Sequence, residues 1–308
     1  MSLATAALNL DAAVLVITPV VLAVAARRGL SHKAYSVSTI HLANTASILM
    51  PVSNLTNLMV FHEAGLDFAE FTILMALPWV AAIAVEWLLV PRLARPAEVT
   101  APPEEPHAPA VRFGPAWIIA ACLVGLLVSG PLGLEPLIVI WIGAAVLVTT
   151  EFASRSASIR DLVRAVRPLF LLGLLGLGAV AMLLGSLGLT DLLKGAVPSG
   201  EGFTSLLLIA SVAALLANVV NNIPATLLLL PAVAPAGDGA LLAMLVGVGI
   251  GPNLAYTGSI ANLLWRRVMI EAGAGVNWRE FSRIGIVTTP IAIVVAVALL
   301  SLTLTVRG

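Results

Sequence analysis

The chain has 308 residues, 60% hydrophobic and 10% charged, with 16 basic and 16 acidic side chains that cancel to a formal net charge of zero. Soluble domains carry about 25% charged residues, so a mean hydropathy of +1.06 excludes a water-wrapped globule, and the balanced charge argues against a nucleic-acid partner. The single cysteine, Cys122, lies in an apolar stretch; it excludes a disulfide framework or multi-thiol metal site and reads as a small core residue.

A membrane crossing needs about 20 apolar residues, and the chain divides on that scale. Asn9 to Ala26 is one apolar arm, bounded by Arg27, Arg28 and Lys33. It is a retained segment rather than a signal peptide, because Asp11 precedes the apolar run and the basic residues follow it. Ala34 to Phe61 is apolar but interrupted by Pro51-Val-Ser-Asn-Leu-Thr-Asn57, and it carries His41, which reads as a packing histidine or a proton relay. Phe71 to Val90 is a plain span in which Glu86, beside Trp87, is expected to snorkel toward water. Glu98 to Pro109 is a polar Pro/Ala/Glu-rich linker. Plain spans follow at Phe113 to Ser129, Pro136 to Thr150 and Pro168 to Leu187, the last with Gly173, Gly176 and Gly178 as expected close-packing positions. Phe203 to Val233 is interrupted at Asn221-Asn-Ile-Pro224, and Leu241 to Val268 at Gly251-Pro-Asn253 and again near Gly258-Ser259. Ile284 to Val306 is the last span.

Interruptions of this kind carry meaning in a membrane. Backbone groups freed by a helix break must be buried in protein or line a cavity, because lipid cannot satisfy them. Two of the interrupted stretches also answer each other in order. Asn9-Leu-Asp-Ala-Ala-Val-Leu-Val-Ile-Thr-Pro19 aligns with Asn221-Asn-Ile-Pro-Ala-Thr-Leu-Leu-Leu-Leu-Pro231, and Pro51-Val-Ser53-Asn-Leu-Thr-Asn57 with Thr257-Gly-Ser259-Ile-Ala-Asn262. Ordered, weak matches of this sort mark internal transporter repeats. The expected organisation is a partial first repeat at 1–90, a cytoplasmic linker at 91–112 and a complete second repeat at 113–308. If the repeats were built alike, roughly 100 residues are missing ahead of Asn9.

Charge tests the topology. With Phe203 to Val233 as a re-entrant hairpin, loops 27–33, 91–112, 152–167 and 266–283 fall on one face. All basic residues except Lys194 and Arg307 then lie there, which makes that face cytoplasmic. The same assignment gives the two repeats opposite orientations.

At Leu10-Asp-Ala-Ala with Thr18-Pro19, Leu49-Met-Pro-Val-Ser-Asn-Leu-Thr-Asn57, Asn221-Asn-Ile-Pro-Ala-Thr and Gly251-Pro-Asn-Leu with Gly258-Ser and Leu263-Leu-Trp265, the chain resembles the ion transporter superfamily. Within it the chain looks most like the arsenical pump membrane proteins, the ArsB-type arsenite permeases. Dicarboxylate carriers of the superfamily typically show Ser-Asn-Thr at the hairpin tips, where this chain has Asn9-Leu-Asp11 and Asn221-Asn-Ile. The resemblance implies an all-α polytopic membrane protein of the cell membrane, built from inverted repeats with re-entrant hairpins and broken helices, the first repeat incomplete. It further implies a secondary transporter that exports arsenite, with antimonite as its analogue, in exchange for protons by alternating access. A carrier of another small anion, a sodium/proton antiporter and a non-transporting fragment are the alternatives.

The residues suit such a substrate. Arsenite near neutral pH is As(OH)3, an uncharged polyol that amides and hydroxyls can bind without desolvating a charge. Candidate substrate ligands are Asn9, Ser53, Asn54, Asn57, Asn221, Asn222, Asn253, Thr257, Ser259 and Asn262; the plainer reading of each is interhelical packing. Asp11, the carboxylate at a motif, is the expected proton carrier. No arginine sits at the tips to clamp a dicarboxylate. A clustered His/Asp/Glu constellation is lacking, which argues against an enzyme, and no cofactor or metal is called for. A phosphate-binding Gly-x-x-x-x-Gly-Lys-Ser/Thr is also lacking, so an ATPase would be a separate subunit. The expected partners are protons, the inorganic substrate and membrane lipid, with a homodimer open to the chain.

Overall fold

The structure, a computed structural model, describes residues 1–28, 30, 32–94, 116–154, 158–160, 168–198, 200–275 and 277–307. Most of the linker 91–112 and of the loop 152–167 lies outside the described residues. Every regular element among those described is helical. Helices α1 (Ser2–Leu8) and α2 (Leu10–Arg27) meet at Asn9, so a short helix that the sequence pattern did not reveal precedes Asn9. Helix α3 (His32–Ala46) ends five residues before the expected break at Pro51. A 3-10 turn, Pro51–Ser53, then leads into α4 (Leu55–Glu63), which contains Asn57.

Next come α5 (Phe68–Leu93), α6 (Ala116–Ser129), α7 (Pro136–Ala153) and α8 (Pro168–Leu184), which runs through a π turn at Gly185–Leu189 into α9 (Thr190–Ala196). Helices α10 (Phe203–Val220) and α11 (Asn222–Val233) meet at Asn221 as the first pair meets at Asn9. Helix α12 (Asp238–Ile250) is followed by two 3-10 turns, Gly251–Leu254 and Tyr256–Gly258, and then by α13 (Ile260–Glu271) and α14 (Trp278–Arg307). Among the described residues six stretches are long and apolar enough to cross a membrane: α2, α5, α7, residues 171–196, α10 and α14.

Two long helices form the spine. Helices α5 and α14 pack antiparallel. Arg283 donates to the Leu93 carbonyl at 3.0 Å at one end, and Arg307 pairs with Glu70 at 2.7 Å and reaches Asp238 at 3.8 Å at the other. Helix α12 is apolar all round and therefore must be covered on every side; its residues from Gly239 to Ile250 are all buried, against α10, α11 and α14. A second core joins Leu10, Val14 and Leu22 of α2 to Ile40 of α3, Val90 of α5, Trp265 of α13 and Phe281 of α14. The packing between halves is reciprocal: α2 lies against α13, and α11 against α4.

Helices α6 to α9 instead turn large apolar side chains outward, among them Trp141, Leu175 and Met182, a surface that a bilayer would cover. Gly173 and Gly176 have nothing close to them, so they are not close-packing positions. Cys122 is half-buried rather than a core residue, its sulfur facing Gly143 of α7.

Candidate functional site

The two hairpin tips share an unusual backbone. Asn9 has φ 80° and ψ 151°, and Asn221 has φ 79° and ψ 154°; among the described residues these are the only non-glycines at positive φ. This region is nearly reserved for glycine and costs about 1–3 kcal/mol per residue. Each asparagine also caps the helix it opens: Asn9 Oδ1 accepts from the Asp11 N–H at 3.0 Å, and Asn221 Oδ1 from the Ile223 N–H at 3.5 Å. Asn221 Nδ2 donates to the Thr257 carbonyl at 3.1 Å, and Thr257, though exposed, donates its hydroxyl to the Asn218 carbonyl at 3.2 Å. The second tip is thus tied to the second helix break. The first is tied likewise, by Ser53 Oγ donating to the Ala6 carbonyl at 3.0 Å.

The two breaks are made the same way. In the first, Asn57 Nδ2 donates to the carbonyls of Ser47 (2.7 Å) and Met50 (2.9 Å). In the second, Asn262 Nδ2 donates to the carbonyls of Pro252 (2.7 Å) and Ala255 (2.9 Å). One amide in each half therefore satisfies two carbonyls that the broken helix has orphaned. Asn54 and Ser259 occupy matching positions, both extended (φ −151° and −145°) and both capping the helix that follows. Ser259 therefore answers Asn54 rather than Ser53, because capping, not residue identity, fixes the register. The second break also needs glycine at two close approaches. A side chain at Gly285 of α14 would strike the Asn253 carbonyl, and one at Gly258 would lie 2.6 Å from Pro252 Cα.

Where the halves differ is in what fills the break. Asn44 of α3 donates from Nδ2 to Asn253 Oδ1 (2.9 Å) and to Asn262 Oδ1 (2.7 Å), and its own Oδ1 accepts from Ser259 Oγ at 3.2 Å. Asn253 Nδ2 in turn donates to Glu86 Oε1 (3.0 Å), Thr45 Oγ1 (3.2 Å) and the His41 carbonyl (3.3 Å). Glu86 Oε2 lies 3.2 Å from His41 Nδ1, and both side chains are 0% exposed. Glu86 therefore does not snorkel. It points inward from α5 because α3 and the second break offer it partners that the apolar exterior lacks.

The first break is left open. Asn57 Oδ1 and Thr56 Oγ1 on α4, with Asn222 Oδ1 on the facing helix α11, are buried oxygens without a hydrogen-bond partner. Asn218 Oδ1 on α10 is a fourth. An unpaired buried acceptor costs about 1–3 kcal/mol; Thr18, Thr288 and Thr289 carry further such oxygens.

The substrate ligands expected from sequence are thus divided by the fold. Asn253, Ser259 and Asn262 are committed to the buried network at the second break. Ser53 and Asn54 hold the first break, Asn54 Nδ2 donating to Ser47 Oγ at 3.2 Å. Asn57 and Asn222 carry open oxygens, and Asn221 with Thr257 lines the second tip. Asp11, half-buried, sits in the first turn of α2, where a negative charge favours the helix N-terminus. Asn44, Asn218 and Glu86 were not expected here; for Asn44 the polar residues His41 and Thr45 beside it on α3 were a signal.

The family described as citrate transporter matches residues 1–251. The chain belongs to the citrate transporter family. Among curated relatives of the transporter, the arsenical pump membrane protein of Escherichia coli (strain K12) is 28% identical over 96% of this chain and 73% of its own length. The arsenical pump membrane protein of Yersinia enterocolitica is 28% identical over 96% of this chain and 74% of its own length. An uncharacterized transporter of Mycobacterium tuberculosis is 28% identical over 96% and 73% respectively. With six apolar stretches long enough to span, the transporter is a multi-pass membrane protein of the arsenical pump and citrate transporter type.

Proposed function

We propose that the transporter exports arsenite, and antimonite as its analogue, across the cell membrane in exchange for protons. The observation that carries this reading is the chemistry of the open site. Its unpaired atoms are oxygens, which accept hydrogen bonds, and As(OH)3 brings three hydroxyl donors without a charge to desolvate. The substrate would sit between α4 and α11, against Thr56, Asn57 and Asn222, with the tip residues Asn9 and Asn221 and the break residues Ser53, Asn54 and Thr257 shaping it. The matching bond patterns at the two tips and the two breaks support inverted repeats with re-entrant hairpins, comprising 1–90 and 113–308 about the linker 91–112. The concentration of basic residues in loops 27–33, 91–112, 152–167 and 266–283, all but Lys194 and Arg307, supports a cytoplasmic face there. Asp11 and Glu86 are the two carboxylates offered for the proton. A separate ATPase subunit or a second copy of the chain would add to this unit without supplying its site.

Two other substrates have an observation on their side. The family description favours citrate, yet a carboxylate needs donors, and of the open oxygens here the Thr56 hydroxyl alone can donate. The same oxygens would take a sodium ion, which makes a sodium/proton antiporter the closer rival. The test is arsenite accumulation in an arsenite-sensitive host that lacks its own pump. The transporter should lower accumulation independently of sodium, and Asn222→Ala should abolish the effect. No lowering despite membrane expression, or lowering that requires sodium, would overturn the arsenite reading.

A further inference from the structure

We propose that His41 and Glu86 form the proton-binding site of the transporter, linked through Asn253 and Asn44 to the second helix break. The inference rests on the reading of proton-driven export and names the group that carries the proton.

Four observations converge. Glu86 is a carboxylate with no exposure in the apolar span α5, and among the described residues His41 is its ionic partner. The 3.2 Å contact from Oε2 to Nδ1 gives one proton a seat on either atom. The other ring nitrogen, His41 Nε2, is buried without a hydrogen-bond partner, so the imidazole is not a fully satisfied packing group. And Glu86 Oε1 accepts from Asn253 Nδ2, while Asn253 Oδ1 accepts from Asn44, which also bonds Asn262 and Ser259. The pair is therefore wired to the segment where the second helix is broken.

The charges nearby are few. Phe281 of α14 stands edge-on to His41 with centroids 5.1 Å apart, and Tyr256 stacks on Phe281 at 4.8 Å. Arg266 of α13 lies 5.8 Å from the Tyr256 ring, with Glu280 of α14 also acting on Tyr256. Arg283 is taken up by the Leu93 carbonyl. The buried residues of α2 include Leu10, Val14, Leu22 and the uncharged Thr18, with the half-buried carboxylate Asp11 in its first turn, and those of α12 include Val246, Val248 and Ile250. Aromatic rings thus stand between the pair and the charged groups of α13 and α14.

The proton step balances simply. Ionised Glu86 beside neutral His41 carries one negative charge, held by the Asn253 N–H. Taking one proton from solution neutralises the pair, the proton lying on Oε2 or Nδ1, and release reverses the step. With the proton on Oε2 the carboxyl is neutral and the Asn253 bond loses its charge assistance. This loosens the tie between the spine helix α5 and Gly251–Leu254, the part of the second half that must shift in alternating access. Net charge in the apolar interior is smallest with the proton bound, so the loaded pair is the form that moves most easily.

The test uses the purified full-length chain and Glu86→Gln, which keeps both bonds: the amide oxygen accepts from Asn253 and the amide N–H donates to His41 Nδ1. Glu70→Gln, on the same helix but in a half-exposed pair with Arg307, is the control. Infrared difference spectra taken across the histidine and carboxyl titration range should show a buried carboxylic acid band that is lost in Glu86→Gln and kept in Glu70→Gln. His41→Gln should move the pH at which the band appears. An unchanged band in Glu86→Gln overturns the proposal whatever substrate is carried. In proteoliposomes, Glu86→Gln should lose accumulation of arsenite driven by a pH gradient while keeping arsenite counterflow. Loss of both, or of neither, also overturns it. If the unsubstituted chain moves no arsenite, the functional reading fails while the infrared result still decides this one.

Discussion

Replacing Asn221 separates what the hairpin tip costs from what it does. At φ 79° and ψ 154° the asparagine carries about 1–3 kcal/mol of strain that glycine would not. Glycine gives up a cap worth only a few tenths of a kcal/mol relative to asparagine. It also gives up about 1 kcal/mol from the bond to the Thr257 carbonyl and about 0.5–1 kcal/mol of chain entropy. These nearly cancel, so Asn221→Gly should leave stability within about 1 kcal/mol of the parent. Asn221→Ala keeps the strain, loses about 1 kcal/mol of capping and about 1 kcal/mol of hydrogen bonding, and should be destabilised by about 2 kcal/mol. Thermal unfolding of the detergent-solubilised proteins gives the order: glycine close to asparagine, alanine clearly below. Transport should fall in both. Equal stability of the two variants would refute the strain argument, and full transport by Asn221→Gly would remove the tip amide from the site.

Other substitutions probe the buried network and the breaks. Glu86→Leu leaves the His41 imidazole without its partner and takes one of three acceptors from Asn253 Nδ2, and should cost about 1–3 kcal/mol, more than Glu86→Gln; chemical unfolding compares them. Asn44→Leu leaves Asn253 Oδ1, Asn262 Oδ1 and the Ser259 hydroxyl without Asn44, at about 1–3 kcal/mol for each group left unpaired, and unfolding midpoints should drop accordingly. Gly285→Ala drives a methyl into the Asn253 carbonyl and should cost about 1–3 kcal/mol and lower transport, whereas Gly173→Ala, with open space around it, should do neither. Asp11→Asn should leave pH-driven accumulation intact if Glu86 carries the proton; loss of pH dependence with counterflow preserved would return that role to Asp11.

The interruptions were legible because asparagine, proline and glycine punctuate an otherwise apolar chain, and Asn221-Asn-Ile-Pro224 and Gly251-Pro-Asn253 could hardly sit inside a lipid-facing helix. The order of spans followed from the same contrast. The division of labour within the site did not. Glu86 lies far along the chain from both His41 and Asn253, and nothing local distinguishes a carboxylate that turns inward from one that reaches for water. Asn44 and Asn57 look alike in sequence, yet one is the hub of the second break and the other is left with an open oxygen. The offset of Ser53 against Ser259 arose from matching identities, when the geometry conserves the cap and hence pairs Ser259 with Asn54. Gly173 and Gly176 resembled packing positions only because glycine in a membrane helix usually is one.

The most direct measurement is flux in proteoliposomes holding the purified full-length chain, with arsenite, citrate and sodium offered separately under an imposed pH gradient. Arsenite should accumulate against its gradient at the expense of the proton gradient, without sodium, and Asn57→Ala or Asn222→Ala should stop it. Citrate accumulation, sodium–proton exchange in place of arsenite movement, or no gradient-driven flux of arsenite would contradict the account.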